Sequence, residues 1–168
     1  MSQSRRVAVL GGVRIPFCRQ NTAYSDVGNM GLSVRTLGAL VEKFGLQGKQ
    51  LGEVAMGAVI KHSSDWNLGR EATLSSGLSP LTPGITLQRT CGTSLDTINL
   101  IAMKIASGQI EAGIGGGSGN RSDGLPFMKA FMNPLKNGKA PWPPVIPEPR
   151  FSFRSGFPIH TPVTYVGV

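Results

Sequence analysis

Cysteine is scarce in this chain, and acidic residues are outnumbered. Only 2 of 168 residues are cysteines, Cys18 and Cys91. Two thiols cannot build the disulfide framework of a secreted domain, which points to a reducing, cytoplasmic setting. Aromatic residues make up 7% of the chain. No run of about 18 or more apolar residues occurs, so no membrane-spanning helix is expected. Signal-peptide features are missing as well: Arg5-Arg6 leads into a short valine-rich run without a cleavage site behind it. Lys and Arg number 17 against 9 Asp and Glu, for a formal net charge of +8. That excess is dispersed, and Arg5-Arg6 is its only adjacent pair. A chain with neither a basic block nor zinc-ligand spacing lacks the footprint of a nucleic-acid binder. Its charge fits a soluble basic surface, or one that meets phosphate-bearing small molecules.

What the chain does have falls into two unequal parts. Residues 1–120 hold 19 of the 23 glycines and 3 of the 12 prolines. The other 9 prolines lie beyond, many of them in Pro141-Trp142-Pro143-Pro144-Val145-Ile146-Pro147-Glu148-Pro149. Proline at that density forbids a helix or an inner strand. The organisation expected is an α/β domain over 1–123, followed by a proline-rich irregular tail over 124–168, disordered or the remnant of a loop domain.

Strand and helix signals alternate in the first part. Val7–Val13, Glu53–Ile60, Pro83–Gln88 and Ala112–Gly116 read as short buried strands. Met30, Val34, Leu37, Val41 and Phe44 mark one helical face, with Asp26 as a possible N-cap and Gly45 as the stop. Residues 67–76 read as a second helix ending at Gly77. Leu95, Ile98, Ala102 and Ile105 mark the face of a third, ending at Gly108. The order βαβαβαβ predicts a mainly parallel sheet with helices on its faces. In such sheets chemistry sits where strands hand over to helices.

Cys91 occupies such a handover, in Gln88-Arg89-Thr90-Cys91-Gly92-Thr93-Ser94. Free N–H groups and the positive end of a helix dipole favour a thiolate, the nucleophilic form of cysteine. Gly92 leaves room beside the sulfur for a substrate. The alternative is a cysteine that serves as a small buried hydrophobe. Cys18, in Arg14-Ile15-Pro16-Phe17-Cys18-Arg19, reads as an incidental loop cysteine. Gly115-Gly116-Gly117-Ser118-Gly119 follows a strand but lacks G-x-x-x-x-G-K-[ST]. It reads instead as backbone that turns tightly or approaches other groups closely. His62 and His160 stand isolated, with no metal-ligand spacing, so no metal site is expected. Trp66 and Trp142 read as packing residues, and Asp96 and Glu111 as solvated single carboxylates.

Residues 5–123 resemble the N-terminal half of the thiolase family. The resemblance is strongest to its acetyl-CoA acetyltransferase and 3-ketoacyl-CoA thiolase branch. The matching pieces occur in order. They are Arg14-Ile15-Pro16-Phe17, Glu53-Val54-Ala55-Met56-Gly57, Asn67-Leu68-Gly69-Arg70-Glu71-Ala72, Gly77-Leu78-Ser79-Pro80 and Thr90-Cys91-Gly92-Thr93. The last resembles the nucleophile motif C-G-[ST]-[GS], and the spacing to Ala106-Ser107-Gly108 and Gly115-Gly116-Gly117 fits as well. The resemblance implies one half of a layered, duplicated α/β fold. It implies Cys91 as the nucleophile that accepts an acyl group from a coenzyme A thioester. Free coenzyme A or a second thioester then takes that group by a ping-pong route. Coenzyme A thioesters are thus expected as substrates, with no permanently bound cofactor. Ketoacyl synthases, condensing enzymes of the same fold, usually carry serines after the cysteine and fit less well.

The chain also departs from the family pattern. Ser118-Gly119-Asn120-Arg121-Ser122-Asp123 replaces the usual turn after the glycines, with only Ser122-Asp123 echoing it. The family's second half carries an activating histidine in G-H-P and a second cysteine in C-x-G-x-G. Here His160 is followed by Thr161, and no cysteine follows Cys91. The chain is therefore expected to be a fragment, a truncated product or one part of a split enzyme, inactive or incomplete alone. Its third helix is apolar on more than one side, as in a helix buried between two layers. That predicts a homo-oligomer or a complementing C-terminal half as partner. The rival expectation is a non-catalytic thiolase-like module that acts only by pairing with a partner chain.

Overall fold

A computed structural model describes residues 5–20, 22–59, 61 and 65–120, and the backbone of 166–167. The elements are α1 (Asn29–Lys43), β1 (Glu53–Met56), α2 (Leu68–Leu74), β2 (Gly84–Thr86), a 3-10 turn (Thr90–Gly92), α3 (Thr93–Ala106), β3 (Gly113–Gly115) and β4 (Val166–Gly167). The sheet order is β2-β1-β3-β4. β1 runs parallel to both β2 and β3, pairing Ala55 with Ile85 on one side and with Gly115 on the other. β4 joins β3 antiparallel. This is the mainly parallel α/β arrangement expected from the alternating signals.

Side-chain alternation along β1 decides which helix covers which face. Val54 and Met56 point one way, into a cluster with Leu37, Leu40, Val41, Ala72, Leu78 and Ile114. Ala55 points the other way, against Ile101 and Ile105 of α3. The α1–α2 face is thus built from large side chains, and the α3 face is almost bare. On that side a Cβ at Gly115 would stand 2.7 Å from the Ile98 backbone, and one at Gly113 2.9 Å from Ile101. Alanine and glycine at alternate positions let α3 lie directly on the strands.

Several expectations need correction. Val7–Val13 forms no strand. Gly11 carries a single bridge, and Val9 and Leu10 stand exposed. Only the ends of the run pack inward: Val7 against the Ile101 cluster, Val13 against the Leu37 cluster. Trp66 is not a packing residue, being 87% exposed. On α3 the buried stripe is Thr93, Thr97, Ile101 and Ile105, while Leu95 is exposed. The helix touches the sheet through small threonines because the approach is close, and their hydroxyls find local carbonyls: Thr97 Oγ1 donates to Ser94 O and lies 3.0 Å from Gly116 O.

The helix limits follow local chemistry. α1 is capped at Gly28, with no side-chain cap, rather than at Asp26. It closes through Gly45 at φ +61. α2 is capped by Asn67, whose Oδ1 accepts from Arg70 N–H at 3.2 Å. No helix among the described residues is long and apolar enough to cross a membrane. His62, His160, Trp142, the proline-rich stretch and the expected boundary at 123/124 lie outside the described residues.

Candidate functional site

Three strand ends converge on the start of α3. Past β1, Gly57 runs so close to the crossover that a Cβ there would stand 1.7 Å from Leu87 O and 2.6 Å from Thr93 Cγ2. Past β3, a Cβ at Gly117 would stand 2.7 Å from Ser94 Oγ. That hydroxyl is buried and has no hydrogen-bond partner among the described residues. The glycines after β3 are therefore seats for the first turn of α3, as their sequence suggested, and not a phosphate loop. Beyond β2, Leu87 N–H still donates to Met56 O at 2.9 Å. Gln88 Nε2 donates to Val59 O at 2.8 Å.

The chain then turns sharply. Thr90 has φ +44, the only positive φ of a non-glycine residue among the described ones. For a β-branched residue that conformation costs about 1–2 kcal/mol and persists only where its surroundings impose it. Gly92 N–H donates to Arg89 O at 2.9 Å, closing the turn. Cys91 sits at its crest, exposed, directly ahead of the α3 cap at Gly92. A Cβ added at Gly92 would meet only the Arg89 side chain, at 3.8 Å. Among the described residues no group requires a glycine there, and the space beside the thiol opens outward.

Two further side chains, Asp96 and Thr93, shape this turn. Asp96 is not simply solvated: its carboxylate accepts from Arg89 Nε at 2.6 Å. The guanidinium thereby offsets a carboxylate that would otherwise weaken the positive end of α3. Thr93 is buried, and its hydroxyl bonds to both Arg89 and Thr90. Neither residue carried a periodic signal, because both act within a single turn. Glu111, also expected to be solvated, pairs with Arg5 at 2.8 Å in an exposed contact.

Cys18 lies apart from this turn in the sequence, half-buried beside Tyr24. Burial pushes the Tyr24 phenol above its ordinary range, and its hydrogen bond with Cys18 pushes in the same direction. Tyr24 also donates to Pro16 O at 3.2 Å. No group of three or more His, Cys, Asp or Glu side chains able to hold a metal occurs among the described residues.

The fold is a mainly parallel α/β sheet that presents an exposed cysteine on a strand-to-helix crossover. Comparison with known proteins narrows the class. The family described as "Thiolase, N-terminal domain" matches residues 7–136, and the chain belongs to the thiolase family. A 3-ketoacyl-CoA thiolase of Photorhabdus laumondii is 33% identical over 120 residues, 71% of this chain and 28% of that protein. One of Aliivibrio fischeri is 33% identical over 120 residues, 71% of this chain and 27% of that protein. Among solved structures, the Bacillus anthracis acetyl-CoA acetyltransferase superposes with a TM-score of 0.65 at 28% identity, covering 70% of this chain and 30% of that one. The chain thus spans little more than a quarter of the length of these 3-ketoacyl-CoA thiolases.

Proposed function

We propose that this chain carries the acyl-accepting part of a thiolase-type acyltransferase, with Cys91 as nucleophile and acyl-coenzyme A as substrate. The observation that carries the reading is the exposed Cys91 on the crest of the turn ahead of α3, inside the segment that matches the family. The Cys91 thiolate attacks the thioester carbonyl, and the carbon–sulfur bond to coenzyme A breaks. Coenzyme A leaves as its thiolate and takes up a proton, while the acyl group stays on Cys91 as a new thioester. A second acceptor, coenzyme A or another thioester, then receives the acyl group. The groups that activate that acceptor belong to the complementing C-terminal half, supplied by a partner chain or by a longer protein. Support for such a partner comes from α3, where Leu95 is 65% and Met103 71% exposed.

The test is intact mass after incubation with acetyl-CoA. An acetyl adduct is expected on the parent and not on Cys91→Ala; an adduct retained by that variant refutes the role. A second reading, a non-catalytic module that only pairs with a partner, is favoured by the same exposed helix face. It predicts a stable complex with a C-terminal thiolase half and no adduct even within that complex.

A further inference from the structure

The turn beneath Cys91 hangs on one hydroxyl. Thr93 Oγ1 accepts from Arg89 N–H at 2.8 Å and donates to Thr90 O at 2.8 Å. Thr93 N–H reaches the same Thr90 carbonyl. The Arg89 N–H and the Thr90 carbonyl, which bracket the Arg89–Thr90 pair, are therefore tied to a single side chain beyond the turn. That side chain has little freedom to swing. Thr93 is 2% exposed, and its methyl lies 2.6 Å from where a Cβ of Gly57 would stand. Burial and the two hydrogen bonds together restrict its χ1. Cys91 sits between the clamped Thr90 and the start of the helix, and is itself free of the core.

We propose that Thr93 is a positioning residue for Cys91: its hydroxyl holds the left-handed Thr90 and so keeps the thiol at the head of α3. This rests on the reading of Cys91 as nucleophile. If Thr93 only filled space, valine, which has the same shape, would replace it without consequence for the thiol. If its hydroxyl is the clamp, removing it leaves Arg89 N–H without that acceptor and lets Thr90 relax towards negative φ. Glycine at position 90 adopts positive φ without penalty, so it makes the clamp dispensable.

The experiment uses the full chain in a Cys18→Ser background, where Cys91 is the only thiol. Its alkylation by iodoacetamide is followed by mass at neutral pH, alongside circular dichroism. Thr93→Val is expected to slow alkylation about tenfold with the fold retained. Thr93→Ser, which keeps the hydroxyl, stays within about twofold, and Thr90→Gly/Thr93→Val returns to within about threefold of Thr90→Gly alone. A folded Thr93→Val that reacts as fast as the parent overturns the proposal. So does a Thr93→Ser as slow as Thr93→Val, or a double variant that is not rescued. If Thr93→Val fails to fold, the double variant decides: recovery of both fold and reactivity supports the clamp, and failure of either overturns it. A parent Cys91 no more reactive than glutathione overturns the nucleophile reading itself, and the clamp with it. A reactive parent with an unaffected Thr93→Val overturns the clamp alone.

Discussion

Gly57 and Gly92 are both small residues beside the candidate nucleophile, and the structure gives them opposite tolerances. A Cβ at Gly57 would overlap the Leu87 carbonyl and the Thr93 methyl, neither of which can yield. Gly57→Ala is expected to destabilise the fold by about 3 kcal/mol, read from denaturant unfolding. Gly92 has φ −88 and open space around it. Gly92→Ala is expected to leave stability unchanged or raise it by up to about 1 kcal/mol in the same measurement. Tyr24 offers a pH test. Its folded-state phenol titrates above the ordinary value of about 10. The neutral phenol therefore contributes stability that is fully present below about pH 10 and is lost as pH rises through the raised value. With Tyr165→Phe removing the other tyrosine, phenolate absorbance is expected to show a midpoint above that of free tyrosine. Cys18→Ala should lower that midpoint without abolishing the rise, because burial is the larger cause.

At the scale of elements, several residues that mark the family turn out to be fasteners between a helix and a loop. Asn67 Oδ1 caps α2 and also accepts from Thr86 Oγ1 at 2.8 Å, joining the helix start to the end of β2. Arg70 donates to Thr82 O at 2.6 Å and to Pro80 O at 2.9 Å, holding the turn that feeds β2. The segment after β3, which departs from the family pattern, has its own fastening. Asn120 N–H donates to Asn29 Oδ1 at 2.9 Å, and Asn120 Nδ2 reaches Tyr24 O and Val27 O. Ser33 Oγ donates to Ser118 Oγ at 3.0 Å. These buried and part-buried bonds tie the entry of α1 to the segment after β3. Asn120→Ala leaves the Tyr24 and Val27 carbonyls without these donors and is expected to cost about 1–3 kcal/mol in denaturant unfolding.

For the whole molecule, the described residues form helices on both faces of one sheet, with the outer side of α3 left bare. Leu95 and Met103, two turns apart on that helix, are both more than half exposed. On the reading proposed above they would meet the complementing half; the chain spans 28% of the Photorhabdus laumondii relative and 30% of the Bacillus anthracis structure. Leu95→Gln/Met103→Gln is expected to leave the unfolding midpoint unchanged, because neither side chain is buried. The same pair should weaken association with a C-terminal thiolase half, measured by analytical ultracentrifugation. Undiminished association would place the partner on another face.

The sequence by itself determined the alternation of helices and strands, the mainly parallel sheet, the family and the position of Cys91 at a handover. These are local or motif-borne: apolar spacing, stop glycines and ordered short matches need no knowledge of what touches what. Tertiary structure alone decided that Val7–Val13 is not a strand: Val9 and Leu10 face outward, and only Val7 and Val13 reach an apolar cluster. It decided which stripe of α3 is buried, because the bare Gly115 lets the Thr97–Ile98 backbone lie on the sheet and turns Ile101 towards Ala55 and Gly113, which leaves Leu95 outside. It also showed Arg89, Asp96 and Thr93 as one constellation around Thr90. A turn held by hydrogen bonds between residues three to seven apart leaves no periodicity to read, and its strain exists only once β1, β2 and β3 have fixed where the crossover runs.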